Sequence, residues 1–192
     1  MREEAKRVRD GGRIINQSSP LRFHSFVRPF LSTARFPMRS LATSQDFAIL
    51  LADSYQRLVD ESLVPPHVCV TDLARWLYAE APFVVLAHNT EDDPRFVYAN
   101  QAAQRCFEYD WDEFVTLHSR QSAEQPDREE RARLLEDVRR DGYSANYRGQ
   151  RIARSGRRFW IEKAVVWNLV DHHGEFRGQA ATFSEWTDVP GH

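Results

Sequence analysis

Three strand-like runs close the chain, and the turns between them leave little choice of architecture. Tyr143 to Ala153 leads into Ser155-Gly156, Arg158 to Val170 into Asp171-His172-His173-Gly174, and Phe176 runs on to Trp186. Connectors this short join antiparallel neighbours, because a parallel partner needs a crossover of about a dozen residues or more. In the middle run the odd positions are Phe159, Ile161, Lys163, Val165, Trp167 and Leu169; the even ones are Trp160, Glu162, Ala164, Val166 and Asn168. Strict alternation makes the first set an almost wholly apolar face and the second a mixed one, with Trp160 and Trp167 on opposite faces. In the last run Gly178, Ala180 and Ala181 are small enough to admit a close approach.

Two more strands are expected upstream. Phe83 to Ala87 is a continuous apolar run, the pattern of a strand buried on both faces. After the polar turn His88 to Pro94, Arg95 to Tyr98 supplies the second strand. Asn100 is placed to cap a helix reaching about Phe107, and Asp110 with Glu113 has the spacing of a capping box. Asp127 to Arg140 reads as a charged helix whose buried side is Leu134, Leu135 and Val138, with Gly142 as its stop. The order ββ, helices, βββ predicts an α+β fold, an antiparallel sheet with helices gathered on one side.

Ahead of the sheet, Thr43 to Ser62 is helical in pattern, with Phe47, Leu50, Leu51, Tyr55, Leu58 and Val59 on one stripe and Pro65-Pro66 beyond it. Leu73, Trp76, Leu77 and Tyr78 mark a second helix that Pro82 breaks. Two such helices suit a cap over the sheet or a dimer contact. Three parts follow: a basic arm over 1–40, a helical cap over 41–80 and a sheet domain over 81–188.

Charge separates the arm from the rest. Residues 1–40 carry nine Arg/Lys against three acids, whereas residues 41–192 carry 17 against 25, a net charge of −8 that disfavours nucleic-acid binding by the body. The arm has no clear periodicity and is expected to be disordered or removed. A start of translation at Met38 explains it better than an organelle transit peptide, since Glu3, Glu4 and Asp10 are out of place in the latter. No run of 18 apolar residues exists, so no transmembrane helix is expected. Cys69 and Cys106, the only cysteines, lack metal-type spacing and read as free thiols in a reducing cytosol.

Tyr98-Ala99-Asn100 with Ala103, followed by Phe107-Glu108-Tyr109-Asp110 and Glu113-Phe114, resembles the entry motif of PAS domains, and Asp171 with Gly174 and Gly178 resembles their closing hairpin. More specifically, Ser119 to Glu124, Arg154 to Ile161, Val166 to Asp171 and Gly178 to Phe183 resemble the MEKHLA domain family over about residues 45–187. The resemblance implies a PAS-like antiparallel five-stranded sheet with helices on one face, preceded by the N-terminal amphipathic helices. The six-letter string that names the family is absent, and no homeodomain or leucine zipper precedes the domain. DNA binding therefore does not carry over. The flavin motif of light-sensing relatives is missing too, and Cys106 sits in a different context from their adduct thiol.

A PAS-like fold implies a pocket between sheet and helices, and polar residues projecting into it are the ligand candidates. These are His88 and Asn89 at the end of the first strand, Arg120 and Ser122 in the middle connection, and Trp160, Asn168, Gln179 and Thr182 on the closing strands. Arg120 has the geometry for a bidentate carboxylate contact, or alternatively pairs with Glu124 or another acid to fix its loop. His118 is the one histidine to weigh as a haem ligand, without a flanking apolar helix to support it. His172-His173 lacks a third ligand in register, so no metal is expected. Glu162 and Lys163 are adjacent on a strand and face apart, and no GxSxG, HExxH or Walker loop is present.

The expected function is thus a non-catalytic sensory or interaction module in the cytoplasm. It binds a small organic ligand, or a partner protein or second copy through the N-terminal helices, and neither nucleic acid nor membrane. An enzyme on a cone-like α+β scaffold and a purely structural partner module are the alternatives. These residues name no cofactor, which is left unknown.

Overall fold

The first hairpin pairs Val84–His88 (β1) with Phe96–Ala99 (β2), and the two closing hairpins join Tyr143–Ile152 (β3), Arg158–Val170 (β4) and Phe176–Phe183 (β5), all antiparallel. In the computed structural model, which describes residues 38–190, β1 also pairs β5, giving the order β2-β1-β5-β4-β3. Glu185–Asp188 (β6) pairs the N-terminal half of β4. The expected run Phe176 to Trp186 is therefore broken at Ser184 into two strands that follow one another along β4. The basic arm up to residue 37 lies outside the described residues.

The break has a partner on β4. Lys163 has φ 50°, in the left-handed region that a β-strand does not use. Across it the alternation changes phase: Phe159 and Ile161 share a core with Ala164, whereas Val165 packs with Trp167 and Leu169 against the other face. The expected strict alternation fails here, so Trp160 and Trp167 fall on the same face rather than opposite ones.

The sheet is covered on both sides. On the inner face lie Gln101–Phe107 (α3), Trp111–Phe114 (α4), a 3-10 turn at Ser119–Ser122, and Gln125–Asp141 (α5). Phe114 meets Phe96 and Phe107 meets Phe159 on the sheet in edge-on ring contacts with centroids 5.0 and 5.1 Å apart, and the two helix rings meet each other at 5.6 Å. The outer face is covered by Gln45–Val59 (α1) and by Leu73–Arg75 (α2), which continues as a π-helical turn over Trp76–Glu80. Leu51, Tyr55 and Leu77 from these segments are buried against Val85, Tyr98, Trp167 and Leu169. Each such side chain contributes about 1.5–3 kcal/mol by leaving water, so the N-terminal helices are part of the fold. The sequence offered a cap or a dimer contact; the apolar stripe of α1 is a cap.

Local signals explain the helix starts. Ser44 Oγ accepts the Phe47 amide at 3.2 Å and Asp46 sits in the first turn of α1. Asp110 and Glu113 close a reciprocal capping box on α4. Asn100 caps α3 and does more. Its Oδ1 accepts from Ala103 at 2.9 Å and Val85 at 3.1 Å, while Nδ2 donates to Phe83 O at 2.8 Å and Leu77 O at 3.3 Å. One buried amide thereby joins α3, the start of β1 and the π-helical turn.

Candidate functional site

Beneath α5 the inner face encloses a cavity of about 40 Å³. Its floor is apolar sheet, with Leu86, Ile161, Val166, Ala181 and Phe183 in it, and Leu134 and Leu135 of α5 form the roof. Five polar side chains line it: His88, Ser122, Arg131, Arg151 and Gln179. No aspartate or glutamate among the described residues does so.

His88 ends β1 in register with Gln179 on β5. The chain can pass so close because residue 178 is glycine, with φ 130°; a Cβ there would sit 2.0 Å from the His88 carbonyl oxygen. The close approach expected at Gly178 is thus the backbone of β1. His88 Nδ1 lies 2.9 Å from Asn89 O; the Gln179 side chain is close enough to act on the ring, but among the described residues the buried Nε2 makes no hydrogen bond of good geometry. Burial, reinforced by the positive Arg131, pulls the imidazole down to about 4, so the ring is neutral at physiological pH.

Arg131 projects from α5 one turn before Leu134 and Leu135 and is only 9% exposed. Among the described residues no hydrogen bond or ion pair engages its guanidinium. Burial and the neighbouring Arg151 lower it to about 9. Arg151, on β3 and 7% exposed, donates to Gln150 O at 2.7 Å and to the Tyr147 hydroxyl at 3.4 Å, with its guanidinium over the Tyr147 ring.

The residues that the sequence nominated separate into two groups in space. His88, Ser122 and Gln179 line the cavity. Asn168 stands beside it: its Oδ1 accepts from Gln179 at 3.1 Å, and its Nδ2 donates to Val138 O and Arg139 O at the end of α5. The others lie elsewhere. Asn89 Oδ1 accepts amides of its own turn from Glu91 and Arg95. Arg120 is exposed and makes a bidentate contact to Asp93 at 2.9–3.1 Å, while Glu124 pairs instead with Arg158. Thr182 is on the outer side and donates to Val84 O at 2.9 Å. Trp160, turned to the outer face, lies under the Arg148 guanidinium at 3.8 Å. His118 is held by Asp93 at 2.9 Å, outside the cavity.

Sequence reasoning missed both buried arginines. The signal for Arg131 was present, since it falls on the stripe of Leu134, Leu135 and Val138, but its charge argued for the solvated side. Arg151 was hidden in a polar strand whose inward phase is set by Gly149 and Ala153. Cys106 is buried and its thiol is pushed up to about 12 by that burial, whereas Cys69 is exposed. Both are free.

The family model described as the MEKHLA domain matches residues 45–188. Among solved structures the chain resembles a PAS domain of a protein from Colwellia psychrerythraea, at 11% identity and a TM-score of 0.53, covering 62% of this chain and 96% of that one. It also resembles an RNA-binding Light-Oxygen-Voltage receptor, at 20% identity and a TM-score of 0.52, covering 67% of this chain and 35% of that one. At these identities the likeness is one of fold. No curated protein matches the chain in sequence.

Proposed function

Since the chain belongs to the MEKHLA domain family and has a PAS fold, we propose that it is a non-catalytic sensory module whose cavity beneath α5 takes a small organic ligand. The observation that carries this reading is His88 Nε2, buried without a hydrogen bond among the described residues at the wall of a mostly apolar cavity. A buried ring nitrogen without a partner costs about 1–3 kcal/mol, which a bound molecule or water in that cavity would offset. The reading is non-catalytic because the charged groups that line the cavity, among the described residues, are two arginines, with no carboxylate to complete an acid–base pair.

Occupancy is passed outward through α5 and β4. Asn168 and Gln179 hold the last turns of α5 to the sheet, and the neighbouring residue along β4, Trp167, donates from Nε1 to Ser54 Oγ of α1 at 3.1 Å. A displacement of α5 therefore reaches α1 through adjacent residues of one strand.

A second reading, a partner or second copy docking on the N-terminal helices, is supported by exposed Ile49 and Val70 near the start of that cap. The net charge of −8 over residues 41–192 speaks against nucleic acid as that partner, and the two free thiols suit a cytoplasmic location. No helix among the described residues is long and apolar enough to cross a membrane.

Native mass spectrometry of the purified protein, ligand-dependent melting and the concentration dependence of its mass test the proposal together. A retained small molecule or a ligand-induced rise in Tm is expected. Finding no ligand, no melting response and a concentration-independent monomer would sink both readings.

A further inference from the structure

The cavity has a chemical sign. Arg131 and Arg151 approach it from opposite sides, one from α5 and one from β3, and both are at least nine-tenths buried. Each repels the other, and no aspartate or glutamate among the described residues lines the space between them. A buried charge without a counter-charge costs several kcal/mol even after relaxation, and proteins normally pair such groups. A guanidinium has five N–H donors; the contacts of Arg151 occupy two of its own, and those of Arg131 are free among the described residues. His88 Nε2 is a further polar atom at the same wall.

From this arrangement we infer that the cavity binds a small organic carboxylate, its head between Arg131 and Arg151 and a short tail against Leu86, Phe107, Ile161 and Phe183. The inference rests on the proposal that the cavity holds a ligand at all. A carboxylate matches it better than a neutral molecule because it supplies the missing negative charge and accepts from both guanidinium forks. The neutral His88 ring keeps its proton on Nδ1 against Asn89 O, so Nε2 is an acceptor and the carboxylate is held by the guanidinium groups rather than by the histidine. Size restricts the ligand: an apolar cavity of about 150 Å³ holds the six heavy atoms of benzene, so one of about 40 Å³ favours the smallest acids, and a series from acetate to butyrate reads how far α5 gives way. Ser122 and Gln179 complete the polar rim, and Gln179 is also bonded to Leu135 O of α5, so the head group sits beside the joint between α5 and the sheet.

The test compares acetate, propionate and butyrate with the matching primary amides and alkylammonium ions, by Tm and by calorimetry on the full chain. Carboxylates are expected to raise Tm with concentration by mass action, and amides and amines to do so little or not at all. Arg131→Met and Arg151→Met are expected to weaken carboxylate binding by about ten- to a hundredfold each. Ligand-free Arg131→Met should melt no lower than the parent, because removing an unpaired buried charge relieves a cost. Amides or amines that bind where carboxylates do not would overturn the carboxylate assignment while leaving a ligand-binding cavity. Carboxylate binding that survives both substitutions, or an Arg131→Met variant that melts well below the parent, would overturn the role of the arginines. If no compound of any charge binds and nothing is retained on purification, the sensory proposal itself falls.

Discussion

Gln179 and Asn168 stand opposite one another on β5 and β4, and together they fasten the end of α5. Gln179 Nε2 bridges Leu135 O at 2.8 Å and Asn168 Oδ1 at 3.1 Å, while Asn168 Nδ2 reaches Val138 O and Arg139 O. Carbonyls in the last turn of a helix lack intrahelical partners, so Asn168 satisfies Arg139 O, while Val138 O, which already accepts the Gly142 amide, and Leu135 O gain a second contact. The amide pair also couples the helix carrying Arg131 to the strand carrying Trp167. Asn168→Ala should cost about 1–3 kcal/mol in chemical denaturation, since it strips partners from Arg139 O and from the Gln179 amide. Hydrogen exchange should then show faster opening in the C-terminal half of α5, with α3 unaffected.

Asn100 is fully buried and its side chain makes four hydrogen bonds to three segments. Asn100→Ala removes a helix cap worth about 1 kcal/mol and leaves further buried backbone groups unpaired, so a total loss of roughly 2–4 kcal/mol is expected. Asn100→Asp should be at least as damaging despite its good capping ability. It replaces the Nδ2 donor with an oxygen facing the carbonyls of Phe83 and Leu77. An aspartate variant as stable as the parent in urea melts would refute this account of the residue.

Stability should fall as the medium is acidified through the titration of His88. Its folded value of about 4 lies below the ordinary 6.5, so between those values the unfolded chain binds the extra proton. Folding free energy is therefore at full strength above about pH 6.5 and declines toward pH 4, by about 3 kcal/mol over the window. Carboxylates held low by their partners, such as Asp171 at about 2, lose their contribution only at more acidic pH. The upper half of the window thus isolates the histidine. Urea melts across this range should show the slope in the parent and a much flatter profile in His88→Gln.

The two thiols should behave oppositely. Cys69 is exposed, whereas Cys106 is buried with its thiol pushed up to about 12, and only the thiolate attacks. A disulfide reagent should titrate one thiol rapidly in the native protein and the second only on unfolding. Fast reaction of both, or protection of Cys69, would contradict the placement.

Several layers of this protein were legible in the sequence because they depend on local chemistry. The hairpin turns, the capping residues Asn100 and Asp110, and the apolar stripe of α1 each act within a few residues, and their spacing states what they do. The motif segments carried the family in the same way. The left-handed residue Lys163 was not legible, because nothing in a lysine announces a positive φ; it reversed the face of Trp160 and took it away from the cavity. Residue type alone left Arg120 as an anion binder or the partner of Glu124 or another acid, and its pairing with Asp93, 27 residues away in sequence, was decided by the folded chain. Arg131 and Arg151 show the same limit from the other side. Chain order alone determined their charge and their spacing. Only the packing of α5 over the sheet brought two distant arginines to one cavity without an acid between them, because the cost of burying a charge depends on neighbours that chain order does not reveal.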